Sequence, residues 1–284
     1  YDFRRSQVNR VTKPRPPGSN FKPFLYGAAL ENGYSPASII NDAPITRGNY
    51  RPNNYENNFL GPITLRYALK ESRNVPAVRL YDELGAEIVL PFAAKFGFQT
   101  QNFPTNDLTI ALGSRDVQPL EIATAYSSIA NGGYKVDPWF IQKIMSDRDG
   151  LLYEAKPKVV CNECQKVKDQ TGQESIAAPR IIDERVAYIL NSMLESVITE
   201  GSGNRVYREL QRSDLRGKTG TTNGPRELWF SGFNENISTT VFVGFDQPEP
   251  MGEQEQGATV AVPIWIDFMR EALEGVPETT LERP

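Results

Sequence analysis

Histidine is absent from all 284 residues. That absence excludes Ser-His-Asp and Cys-His activation, histidine-ligated zinc hydrolysis and imidazole acid-base chemistry together. A nucleophilic enzyme built on this chain must take its base from another side chain. Cysteine is nearly absent as well: Cys161 and Cys164 are too few for a disulfide scaffold and, without histidine, leave a zinc site incomplete. They read as a local disulfide or as inert thiols, and neither a metal nor a cofactor is expected. Long apolar runs are missing too. The longest, such as Ala261 to Ile266, fall far short of the roughly 20 residues a spanning helix requires. Nor is there a basic excess, with 31 Lys and Arg against 35 Asp and Glu and a net charge of −4, so a nucleic-acid partner is not expected.

What is present is a globular composition, 39% hydrophobic and 23% charged, in a chain long enough to bury a core without staples. It opens on Tyr1-Asp2-Phe3 with neither an initiating Met nor a signal peptide, so a longer polypeptide is expected, with any membrane anchor outside this stretch. Residues 1–18 are basic and proline-rich and read as an extended, solvated lead-in. From Ser19 to about Leu30 apolar residues recur at helical spacing, with Pro23 in the first turn and Gly33 as a stop. Residues 34–62 show no sustained period and read as loops. Helices are expected over Thr64–Lys70, Ala77–Leu84, Ile88–Phe96, Pro119–Ala130 and Glu184–Thr199. Asp149-Gly150 marks a turn between two strands within Pro138–Val160. Strands are expected at Leu228–Phe233 and Thr239–Phe245, where aromatic and β-branched residues gather, and a closing helix at Pro263–Glu274. Trp229 and Phe230 read as core residues of their strand. The pattern predicts an α+β fold, an antiparallel sheet flanked by helices plus a mainly helical lobe. One two-lobed domain over 1–284 is expected, with a hairpin insert at about 138–178 and a cleft where the lobes meet.

Ser19-Asn20-Phe21-Lys22 sets a hydroxyl and an amine three residues apart on one helix face. The positive end of the helix dipole favours an oxyanion there and disfavours a charged lysine. For Lys22 to act as a base its pKa must fall from about 10.4 to near neutrality, a change worth roughly 4 kcal/mol, which burial and a second cation can supply. Ser-x-x-Lys is common by itself, and a capping serine beside a solvated lysine accounts for most instances. Ser72-Arg73-Asn74 alone would be a helix-ending turn. Lys218-Thr219-Gly220 alone would be a strand edge. The three in this order are far more specific, because together they form the active-site set of penicillin-recognising enzymes.

Around these motifs the likeness extends along nearly the whole chain. Pro17-Gly-Ser-Asn-Phe-Lys-Pro-Phe24, Ala111-Leu-Gly-Ser114 with Pro119-Leu-Glu-Ile-Ala123, Ala130-Asn-Gly-Gly-Tyr134, and Gly217-Lys-Thr-Gly-Thr-Thr222 with Trp229-Phe230 resemble the class A penicillin-binding proteins, most of all the Gram-negative 1a type. The glycosyltransferase domain and membrane anchor of that family are absent from this stretch. The resemblance implies a D,D-transpeptidase in which Ser19 attacks the penultimate D-alanine carbonyl of a peptidoglycan stem peptide and Lys22 accepts the serine proton. It implies that Ser72 relays a proton to the leaving amine, that Asn74 orients Lys22 and the substrate amide, and that Lys218 supplies positive potential. Thr219, Gly220, Thr221 and Thr222 would bind substrate, and the backbone N–H groups of Ser19 and Thr221 would form the oxyanion hole. It further implies β-lactams as covalent ligands of Ser19, accessory cell-wall proteins as partners, and a periplasmic location anchored to the inner membrane. A serine β-lactamase, a D,D-carboxypeptidase, a β-lactam sensor and a silent scaffold remain as alternatives. The Glu-x-x-Leu-Asn pattern of class A β-lactamases does not occur here.

Overall fold

The computed structural model describes residues 2–161, 166–168 and 174–284. The elements run α1 (Lys22–Glu31), β1 (Ile39–Asp42), β2 (Gly61–Thr64), α2 (Leu65–Lys70), α3 (Asn74–Leu84), α4 (Ala86–Lys95), α5 (Pro119–Ala130), β3 (Lys143–Ser146) and β4 (Gly150–Glu154). They continue with β5 (Lys166–Lys168), β6 (Glu174–Ile176), α6 (Glu184–Thr199), α7 (Asn204–Leu210), β7 (Arg216–Thr221), β8 (Glu227–Phe233), β9 (Ser238–Gly244) and α8 (Val262–Ala272). Strands β7, β8 and β9 form an antiparallel sheet in sequence order, and the other strands pair two by two.

Helix α1 is buried from Lys22 to Leu30, as a helix apolar on all sides must be, and it forms the axis of the larger core. Phe24 there meets Phe96, Phe98 and Tyr126 edge-on, with centroids 5.0, 4.8 and 5.8 Å away. A second core lies on the other side of the sheet, where Phe230 packs edge-on against Trp265 of α8 at 5.1 Å among Val206, Leu215 and Met269. Trp229 and Phe230, neighbours on β8, are both fully buried. The sheet thus has a core on each face, and its β7 edge lies against α6 and the turn that precedes α1.

The helix boundaries follow local chemistry. The Thr64 hydroxyl accepts the Tyr67 N–H and starts α2. Pro119 opens α5, where Glu121 reaches back to the Gln118 N–H at 2.8 Å. Asp183 caps α6 through the Arg185 N–H. The Asp149-Gly150 turn joins β3 to β4 as expected, with Gly150 at φ 73°.

Some elements of the fold differ from the reading of the sequence. Residues 34–62 are not all loop, because Ile39–Asp42 pairs antiparallel with Gly61–Thr64 in the register Asp42 to Gly61. Each strand has only four residues and the loop 43–60 separates them, so no sequence window holds enough alternation to show either. Helix α7 also went unexpected, since its seven residues bury only Val206. Cys161 is disulfide-bonded, and Cys164 lies outside the described residues. No helix among the described residues is long and apolar enough to cross a membrane, and none of their side chains cluster as metal ligands.

Candidate active site

Ser19 does not stand in α1. It lies in a 3-10 turn, Gly18–Phe21, that runs directly into Lys22. In a 3-10 turn residues i and i+3 eclipse, so this geometry stacks Lys22 on Ser19 more directly than an α-helical turn. The turn is held from four sides. The Gly18 N–H donates to Gly113 O at 3.1 Å and the Tyr126 hydroxyl donates to Asn20 O at 2.9 Å. The Trp229 indole N–H donates to Pro16 O at 3.0 Å, and Arg15 bridges to Val117.

The lead-in is not wholly solvated. Arg15 is buried and pairs with buried Glu227 at 3.1 Å, while Arg10 pairs with Asp246. Charge runs read as solvated only while nothing packs on them, and here the ends of β8 and β9 do. Gly18 sits at φ 55°, and a Cβ there would come within 2.7 Å of the Thr221 carbonyl oxygen. Gly18→Ala is therefore expected to destabilise the fold by about 2 kcal/mol, from left-handed backbone strain plus displacement of β7. Chemical denaturation of the two proteins checks this.

Ser72, Arg73 and Asn74 bring a second edge to Lys22. Its Nζ donates to Ser72 O at 2.6 Å, Asn74 Oδ1 at 2.8 Å and Arg73 O at 3.1 Å, and it lies 3.4 Å from Ser72 Oγ. Lys218 arrives from β7 on the other side, with Nζ 2.7 Å from the same Ser72 hydroxyl. One hydroxyl thus stands between two fully buried amines. Burial first, then the charges of Lys218 and Arg73, hold Lys22 well below the ordinary lysine range, against the pull of Glu56. Burial brings Lys218 down to about 7, with Glu71 opposing. Among the described residues the Ser19 hydroxyl makes no hydrogen bond, and the Lys22 amine is held by the Ser72–Asn74 turn.

Along β7, Thr219 Oγ1 lies 3.3 Å from the Lys218 amine and 3.1 Å from the Ser202 hydroxyl. Gly220 passes so close to the nucleophile turn that a Cβ there would meet Pro17 O at 2.6 Å. Thr221 Oγ1 accepts the Gly257 N–H at 3.0 Å, and Thr222 Oγ1 accepts the Glu227 N–H at 3.1 Å, closing the β7–β8 connection. Two cavities meet at Ser19, Asn74, Thr221 and Thr222. The larger, about 610 Å³, runs toward Arg15, Asp116 and Arg226; the smaller, about 370 Å³, runs toward Ser72, Thr219 and Ser202. Every residue expected at the site from sequence lies within this one constellation.

Several neighbours carry no motif. Ser202, Glu56 and Tyr55 line the smaller cavity, and the Tyr55 hydroxyl accepts from Gln256 Nε2 at 2.8 Å across its mouth. No short-range pattern marks them, because their partners are remote in sequence.

Comparison with known proteins agrees with this geometry. A family model for the penicillin-binding protein transpeptidase domain matches residues 2–270. Penicillin-binding protein 1A of Pseudomonas aeruginosa is 45% identical over 323 aligned residues, covering all of this chain and 39% of that protein. Penicillin-binding protein 1A of Escherichia coli is 36% identical, with 100% and 41% covered. The chain thus spans about two-fifths of the length of these curated relatives. The crystal structure of penicillin-binding protein 1A from Haemophilus influenzae superposes with a TM-score of 0.90 at 34% identity, covering all of this chain and 46% of that one. PonA1 of Mycobacterium tuberculosis, solved in complex with penicillin V, shares the fold with a TM-score of 0.80 at 24% identity, with 98% of this chain and 74% of that one covered.

Proposed function

Because the chain belongs to the penicillin-binding protein transpeptidase family, we propose that it cross-links peptidoglycan stem peptides through an acyl-enzyme on Ser19. The observation that carries this reading is the Ser72 hydroxyl set between the amines of Lys22 and Lys218, beside a serine at the meeting of two cavities. Neutral Lys22 takes the Ser19 proton as Oγ attacks the penultimate D-alanine carbonyl. The proton then passes by way of Ser72 to the amine of the departing terminal D-alanine, leaving an ester on Ser19. Attack by an acceptor amine forms the new amide and returns the proton to Ser19.

The smaller cavity, with Lys218, Thr219 and Ser202, suits the terminal carboxylate and afterwards the acceptor; the larger suits the donor stem. The N–H groups of Ser19 and Thr221 are the oxyanion donors in this reading, each worth about 3 kcal/mol in the transition state. Thr222 and Gly220 shape the β7 edge, Gly220 by letting the strand lie against the turn. Asn74 holds the lysine through its carbonyl oxygen, and its amide nitrogen, which donates one hydrogen to Asn53 O at 3.2 Å, keeps the second for the substrate. A β-lactam would acylate Ser19 by the same route. In the whole protein this unit would work in the periplasm beside an inner-membrane anchor and a glycosyltransferase domain, with accessory cell-wall proteins as partners.

A specific feature favours amine over water as the acceptor. Glu56 and Glu71, the carboxylates of the smaller cavity, are paired with Arg73 at 2.9 Å and Lys70 at 3.7 Å, so neither is a free base for deacylation. Incubation with a D-Ala-D-Ala pentapeptide and a D-amino acid acceptor is expected to yield more amide than hydrolysis product, by chromatography with mass detection. Predominant hydrolysis would assign a carboxypeptidase, and no turnover despite acylation a sensor. With penicillin alone, intact-protein mass spectrometry should show one adduct, mapped to Ser19.

A further inference from the structure

Ser72 has φ 56°, a left-handed conformation that disfavours an L-residue by roughly 1–2 kcal/mol. That conformation lets Ser72 O and Arg73 O both face the Lys22 amine while the Ser72 hydroxyl faces Lys218. Something must hold it. Resting on the acyl-transfer reading above, we propose that Asp42, gripping Arg73 on one side and Asn54 on the other, forms with them a buried bracket that positions the Ser72–Asn74 turn against the two lysines.

The side chain of Arg73 leaves the cleft and is buried in the loop 43–60. Its Nε donates to Asp42 Oδ2 at 2.9 Å, its Nη2 lies 2.7 Å from the same oxygen as an ion pair, and its Nη1 donates to Glu56 Oε2 at 2.9 Å. Nη2 also donates to Asn58 O and Oδ1, both at 2.7 Å. Asp42, the last residue of β1, has no solvent exposure. Its Oδ1 accepts from Asn54 Nδ2 at 2.7 Å, and its Oδ2 from the Leu60 N–H at 3.3 Å.

Asn54 completes the bracket. Its Oδ1 accepts the N–H groups of Asn74 and Val75, each at 3.0 Å. These are orphan donors of the first turn of α3, whose own N-cap residue, Arg73, supplies no side-chain acceptor. Asn54 therefore caps from a distant segment the helix that carries Asn74 to Lys22. A carboxylate at the end of β1 thus grips both sides of the turn, through a guanidinium on one side and an amide on the other. Lysine could not reproduce this, because the planar fork is used on all three nitrogens.

The charged groups that face Lys22 are Lys218 from β7, Arg73 from the turn and Glu56 from the loop 43–60. Arg73 and Glu56 act on the amine with opposite sign, although they form one ion pair. That opposition separates positioning from mere packing.

The test follows acylation by a fluorescent penicillin from pH 5 to 9, with thermal unfolding in parallel. Arg73→Lys and Asp42→Asn are each expected to slow acylation about 100-fold, the scale of a 1 Å misplacement at a reacting centre. Their double variant should lose little more, since both act through one turn. Arg73→Gln removes a cation and should move the acid limb of the profile to higher pH; Glu56→Gln, a change at a half-exposed side chain that the fold tolerates, should move it lower. Shifts in one direction, or a lower melting temperature with an unmoved profile, would mean that the bracket only packs. If Asp42→Asn fails to fold, Arg73→Lys, which keeps the charge and loses the fork, still decides. A wild type that takes no penicillin adduct sinks the functional reading; a labelled wild type whose variants acylate equally fast sinks the bracket alone.

Discussion

Lys22→Arg is expected to acylate between about 100 and 10,000 times more slowly than wild type, the range a general base contributes. A guanidinium stays protonated at any pH the protein survives, so it cannot take the Ser19 proton. Arginine keeps the reach to Ser72 O and Asn74 Oδ1 but cannot give up the proton that Lys22 gives up, which makes this variant a test of basicity and not of contact. Because Lys22 is fully buried, the larger group should also cost about 1–3 kcal/mol through overpacking. Stopped-flow acylation with a chromogenic β-lactam, alongside circular dichroism, separates the two effects. Acylation at the wild-type rate in a folded Lys22→Arg protein would refute the assignment of Lys22 as base.

The second large effect concerns stability. Lys218 has a folded pKa of about 7 against about 10.4 unfolded, so between these values the unfolded chain binds more protons. Stability contributed at this site must therefore rise with pH. Below pH 7 both states are protonated and the native state carries the full penalty of a buried charge; above pH 10 both are neutral and the penalty is gone. From pH 7 to 9 the wild type should gain about 2 kcal/mol relative to Lys218→Met, measured by urea denaturation at both values. The window stops at 9 because buried Tyr26 and Tyr126, held above their ordinary range by burial, resist ionising in the native state and reverse the slope. Equal slopes in both proteins would show that Lys218 keeps an ordinary pKa. The variant should also lose acylation, since Ser72 and Thr219 lose the amine they share. The site therefore holds a destabilising group for the sake of its chemistry.

Much of the fold was legible beforehand. Helices α5 and α6 have the expected ends, because Pro119 and Glu121 at one and Asp183 at the other fix the boundary within a few residues. The late strands were legible for the same reason, with Trp229 and Phe230 buried as a covered strand demands. Strands β1 and β2 were not, since four residues carry too little period and their pairing spans a loop.

The site shows the same division. Absence of histidine and the order of three short motifs are properties of the chain, so composition removed imidazole as the base, and the motifs' resemblance to the active-site set of penicillin-recognising enzymes pointed to Ser19, Lys22, Ser72, Asn74 and Lys218. That burial pushes both lysines below the ordinary lysine range, that Ser72 stands between them and that Asp42 grips Arg73 were decided only by the tertiary structure. Each depends on burial and on angstrom-scale distances between segments far apart in sequence. Electrostatic energy in a buried site varies with those distances and with the exclusion of water, neither of which linear order encodes.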